Sequence, residues 1–143
     1  MPNNRSVRVR LSVCEPGEQK PDFSLAFDLP AVPRPGDYIS VHREDKETPH
    51  TEDLIVRQVW WSLETTETRT SSSEEEERVG NLREIAVECE MALGPWSTDH
   101  WFDKMRQHEA NGRTIKRFDV SRLSVRERDL HGAPKHKARR QHT

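Results

Sequence analysis

Apolar side chains are scarce in this 143-residue chain: 31% of residues are hydrophobic and 6% aromatic, against 34% charged. A chain so composed can bury one modest core and must leave much of its length solvated, which excludes a second full domain. Long hydrophobic runs are missing too. The longest, Leu54-Ile55-Val56 and Val59-Trp60-Trp61, stop far short of the roughly 20 apolar residues a membrane helix needs, so no helical span is expected. The opening Met1-Pro2-Asn3-Asn4-Arg5 carries no apolar leader, and a cytoplasmic location is the expectation that follows. Cysteine is limited to Cys14 and Cys89. Strand alternation sets Cys89 inward and Cys14 outward, which argues for two reduced thiols rather than a bridge.

What is present is alternation. Val7, Val9, Leu11 and Val13 share one phase with Arg8, Arg10 and Ser12 in the other, the period of a half-buried strand over Ser6 to Val13. After the turn chemistry of Glu15-Pro16-Gly17, Phe23, Leu25, Phe27 and Leu29 alternate again, giving a hairpin. Pro30, Pro33 and Pro35 form an extended connector, and Gly36-Asp37 opens a third strand holding Ile39 and Val41. The polar stretch Glu44 to Thr51 reads as an exposed loop. The fourth strand, Asp53 to Leu63, is apolar in both phases, as for a strand covered on both faces, and the fifth, Leu82 to Leu93, sets Ile85, Val87, Cys89, Met91 and Leu93 against Glu84, Glu88 and Glu90.

The fold class expected is therefore mainly β: a small five-stranded antiparallel barrel or curled sheet with one C-terminal α-helix and a basic tail. The helix is placed over 98–111, capped by Ser97 or Thr98 and stopped by Asn111-Gly112, with Trp101, Phe102 and Met105 packing on the sheet. Residues 64–81, with the run Ser71-Ser72-Ser73-Glu74-Glu75-Glu76-Glu77, cannot repay the entropy of ordering and read as a flexible acidic loop. Residues 1–112 form the domain in this reading and 113–143 a basic, partly disordered extension, with Phe118 and Val120 as a last strand and Ser121 to Leu130 as a short helix.

Charge divides the chain in the same way. From Arg113 onward there are ten Lys/Arg and three Asp/Glu, or +7; with a total of −2, residues 1–112 carry −9. An acidic body with a basic tail suggests an interaction arm, and attraction of the tail to the body is an equally physical reading. The segments LPAVPRPGDYISV, LIVRQVWW and REIAVECEMA together resemble short uncharacterised β-barrel proteins of bacterial plasmids and phages, a resemblance that covers about 70 residues, implies the fold, and assigns no functional residue.

No catalytic constellation is assembled in the sequence. The histidines at 42, 50, 100, 108, 131, 136 and 142 include neither a helical i, i+4 pair nor paired cysteines beside them, so neither a metal site nor a cofactor is expected; His100 with Asp103 is the nearest approach to a ligand pair. The leading expectation is a non-catalytic binding or accessory protein that engages another protein through an acidic face. Glu84, Glu88 and Glu90 carry that face, paired across strands with Arg8 and Arg10, which makes strands one and five neighbours. Trp60 and Trp61, adjacent on a strand, point to opposite faces; one belongs to the core and the other either packs under the helix or anchors the partner. The alternatives are a nucleic-acid-binding barrel whose arm uses Lys135, Lys137, Arg139 and Arg140, and a small enzyme with an unrecognised site.

Overall fold

The computed structural model describes residues 5–66 and 78–119. Most of the acidic loop, the helix expected over Ser121 to Leu130, and Lys135, Lys137, Arg139 and Arg140 lie outside these residues. The elements are β1 (Val7–Cys14), β2 (Phe23–Leu29), β3 (Tyr38–Arg43), β4 (His50–Glu64), β5 (Asn81–Leu93), α1 (Asp99–Ala110) and β6 (Lys116–Arg117). They form one mainly β sheet, curled into a half-barrel, with α1 as the single helix among the described residues. No helix among the described residues is long and apolar enough to cross a membrane.

Strand order is β2-β1-β5-β4-β3, with β6 joined to β5. Strands one and five are neighbours, as the charges on their faces suggested. They run parallel, however, with Arg10 against Ala86 and Cys14 against Glu90, so the sheet is mixed rather than antiparallel. β6 also pairs with β5 in parallel, Lys116 against Ala92, and so extends the lane that β1 leaves at Cys14. Among the described residues β2 and β3 remain the edges, and the barrel is not closed by their pairing.

The edges nonetheless approach across one face. The Arg43 guanidinium of β3 lies 5.3 Å from the centre of the Phe23 ring of β2, which makes this face the concave one. It holds the core: Val9, Leu11, Val13, Leu54, Val56, Ile85, Val87, Cys89 and Met91 are buried here, each large side chain contributing about 1.5–3 kcal/mol. α1 fills one end of the trough with Trp101 and Met105, both fully buried, and the indole Nε1–H donates to the Ala92 carbonyl at 2.8 Å. Phe102, expected on the same face, is 37% exposed: three residues before Met105, it falls on the flank of the helix.

Thr98 is the N-cap residue but makes no side-chain cap; its hydroxyl accepts instead from the Thr51 N–H at 3.4 Å, tying the helix start to β4. β4 begins at His50, so the end of the segment expected as exposed loop is buried. Beyond the helix Ile115 joins the core, and Phe118 meets the Tyr38 ring edge-on at 4.9 Å. Residues 113–118 thus pack on the body, although their composition groups them with the basic extension. Among the described residues the last strand is the two residues of β6, which precede Phe118; Val120 lies outside them.

Candidate functional site

β4 and β5 outrun the rest of the sheet. β3 accompanies β4 only to Ile55, and among the described residues the Val56 N–H and carbonyl are the last on that side to find backbone partners, at Asp37 and Gly36 (2.8 and 2.9 Å). β1 accompanies β5 only from Ala86 onward. Gln58–Glu64 and Asn81–Ile85 therefore project as a two-stranded arm, with Trp60 opposite Ala86, Trp61 opposite Ile85 and Leu63 opposite Leu82. Two bulges bound the arm: Arg57 is extra between Val56 and Gln58, and Arg83 is extra where Ser62 gives way to Leu63. At its far end Gly80 passes so close to the Glu64 carbonyl that a Cβ would lie 2.5 Å from the oxygen, so this crossing requires glycine.

Both tryptophans are exposed, Trp60 by 71% and Trp61 by 54%, and neither is a core residue. The expectation that one would be buried assumed a strand covered along its whole length, whereas β4 is covered only up to its bulge. Cross-strand partners share a face, so Val59, Trp61, Leu63 and Leu82 continue the concave core row outward, while Trp60 sits on the convex side above Ala86. Leu63 (68%), Leu82 (45%) and Val79 (73%) add to the exposed apolar surface. The alternation of Leu63 with the tryptophans was the sequence signal for its place; its exposure was not legible.

The three glutamates share the convex face of β5 and differ in surroundings. Glu84 accepts from the Arg10 Nε–H at 2.8 Å, while Arg8 pairs with Asp28 of β2 and not with β5. Glu88 lies 2.6 Å from Arg57 Nη2 and accepts from Gln58 Nε2 at 3.0 Å. Glu90 is 2% exposed and cannot serve as a surface contact. The backbone N–H of Gly17 donates to it at 3.0 Å, and Lys116 and Arg57 reach its other oxygen at 3.3 and 3.4 Å. The turn after β1 and residues 113–118 cover this end of the convex face, with Arg113 joining them through Glu15 and the Pro16 carbonyl. The same cover buries Cys14, which alternation had placed outward.

Each carboxylate of the expected acidic face is thus matched by a cation. Arg57, with Nε and Nη2 buried and lacking an aligned acceptor, belongs to the face through charge more than through hydrogen bonding. Burial pushes the Cys14 thiol up and the Cys89 thiol up to about 12, away from the thiolate that nucleophilic chemistry requires.

Two further polar clusters had no sequence signature. Asp53, 1% exposed, accepts from the hydroxyls of Ser40 and Ser97, the latter at 2.7 Å, and Gly94 is pressed so close that a Cβ there would lie 2.9 Å from Asp53 Oδ2. On the concave side Arg43 holds Asp45 through two hydrogen bonds of 3.0 and 2.9 Å and reaches buried Glu52 at 3.3 Å. His50 joins Glu52 at 2.7 Å and the Thr48 carbonyl at 3.0 Å, its ring 4.5 Å from that of His100. Asp103 accepts from Arg106 at 2.7 Å, while the His100 ring lies against that of His50. Among the described residues no group of three or more His, Cys, Asp or Glu side chains is arranged to hold a metal ion. Compared with known protein families, curated proteins and solved structures, the chain matches none.

Proposed function

We propose that this chain is a non-catalytic binding or accessory protein that docks another protein through the β4–β5 arm. The observation that carries this reading is the pair of adjacent tryptophans, 71% and 54% exposed, on a ribbon that, among the described residues, β3 accompanies only to Ile55 and β1 only from Ala86. Burying a tryptophan of this exposure against a partner is among the strongest contributions a single interface residue makes, while leaving it in water gives the monomer nothing. The role first given to the acidic face narrows accordingly. Glu84 and Glu88, each ion-paired, form a polar rim around Trp60.

The test compares the full chain with a Trp60→Ser, Trp61→Ser double variant as bait for binding partners. Both positions are exposed, so the variant should keep its β-sheet circular dichroism. A partner retained by the native chain and lost by the double variant supports the reading; a partner set unchanged by it overturns the arm as the docking site. Glu84→Lys with Glu88→Lys should weaken the same capture by less, because a rim charge contributes less than a buried aromatic anchor.

A further inference from the structure

The free edge of the arm has a composition that edge strands of monomers avoid. From Gln58 to Leu63 it reads Gln-Val-Trp-Trp-Ser-Leu, without charge or proline, in a chain whose residues are 34% charged. Monomers blunt such edges with lysines, prolines or cover. The terminal strands of the sheet follow that rule: β2 carries Asp28 in an ion pair, and β3 carries Arg43 with its two carboxylates. On the arm the backbone groups beyond Val56 find no partner strand among the described residues.

We infer that the edge of β4 over Gln58–Glu64 pairs antiparallel with the same edge of a second copy of this chain, about a two-fold axis at Trp61. This rests on the arm being the docking surface and names the occupant of its edge. An axis perpendicular to the sheet keeps each face on its own side, so it must pass through a residue that meets itself. At Trp61 it sets Trp61 against Trp61, Val59 against Leu63, Trp60 against Ser62 and Gln58 against Glu64.

Every apolar member of the concave row then meets an apolar one, and each Glu64 carboxylate meets a neutral amide rather than another carboxylate. An axis at Trp60 would set Leu63 against Arg57, whose guanidinium is held by Glu88 and Glu90. An axis at Ser62 would set Val59 against Thr65 and Trp60 against Glu64. The two-fold closes the assembly at a dimer and leaves Trp60 of each copy on the convex face, open to a different protein.

Sedimentation of the full native chain over a range of concentrations should show its mass doubling, and Leu63→Lys, at a position 68% exposed, should return it to the monomer with unchanged circular dichroism. Register is read by oxidation of single-cysteine additions, Cys14 and Cys89 being buried. Trp61→Cys should give a disulfide-linked dimer on a non-reducing gel and Trp60→Cys should not, whereas Trp60→Cys mixed with Ser62→Cys should. A chain that stays monomeric, one that forms open-ended aggregates, or a cross-link at Trp60→Cys alone overturns the inference. Monomer with a partner still lost by the tryptophan double variant defeats the dimer alone; dimer with an unchanged partner set defeats the docking of another protein alone.

Discussion

Below the bulge at Arg57, β4 is covered on both faces, and Thr51, Glu52, Asp53, Leu54 and Val56 are all buried. Above it the same strand, still paired with β5, exposes Trp60, Trp61 and Leu63. Backbone pairing is continuous across the boundary, and what changes is the supply of neighbours. The base has β3, β1, α1, the turn after β1 and residues 113–118 around it; among the described residues the arm has only its own two strands. Hydrogen bonding between strands therefore holds the arm together, and packing holds the base.

The comparison breaks most readily at the base. Trp101→Ala should destabilise the chain by about 3–5 kcal/mol in urea unfolding, because it empties the largest fully buried side chain. A loss below 1 kcal/mol would place α1 outside the cooperative unit. Asp53→Ala should cost about 1–3 kcal/mol by the same measurement, since the Ser40 and Ser97 hydroxyls lose the acceptor they share.

A smaller, pH-dependent effect follows from the thiols. The folded state holds the Cys89 thiol up at about 12 against an ordinary 9.0, so this contribution is fully present below pH 9 and is lost as the pH rises toward 12. Unfolding midpoints should fall over that window, and Cys89→Ala should fall less steeply. At neutral pH both thiols should resist a disulfide-exchange reagent until urea is added. The least effect is expected on the arm: Trp60→Ala should alter unfolding by no more than about 0.5 kcal/mol. A larger loss would show that the arm is packed against something in the folded monomer and would remove the contrast.

Much of the base was legible in the sequence. The unbroken alternation of Val7 to Val13 and of Phe23 to Leu29 gave two strands and their inward faces, and Asn111-Gly112 gave the helix end. The exposure of Trp61 was not legible, because a run apolar in both phases reads the same whether a neighbouring strand covers it or stops at Ile55. The burial of Glu90 was hidden for a related reason. A glutamate in an outward phase is expected in water, and the Gly17 turn, Lys116 and Arg57, 73, 26 and 33 residues away, bring it donors under cover. The Arg43–Glu52–His50 cluster likewise joins the end of β3 to the start of β4, where the hairpin register sets Arg43 opposite His50.

The sequence by itself determined the alternation of β1, β2, β3 and β5, the helix α1 and the number of apolar side chains available, since these depend on local geometry and composition. The tertiary structure decided which neighbours each strand received: β1 parallel to β5, β6 in the lane that β1 leaves, and, among the described residues, no strand on the outer edge of β4 beyond Val56. Burial is a property of neighbours and not of residues, and for that reason the same β4 pattern yields a core at one end and a bare pair of tryptophans at the other.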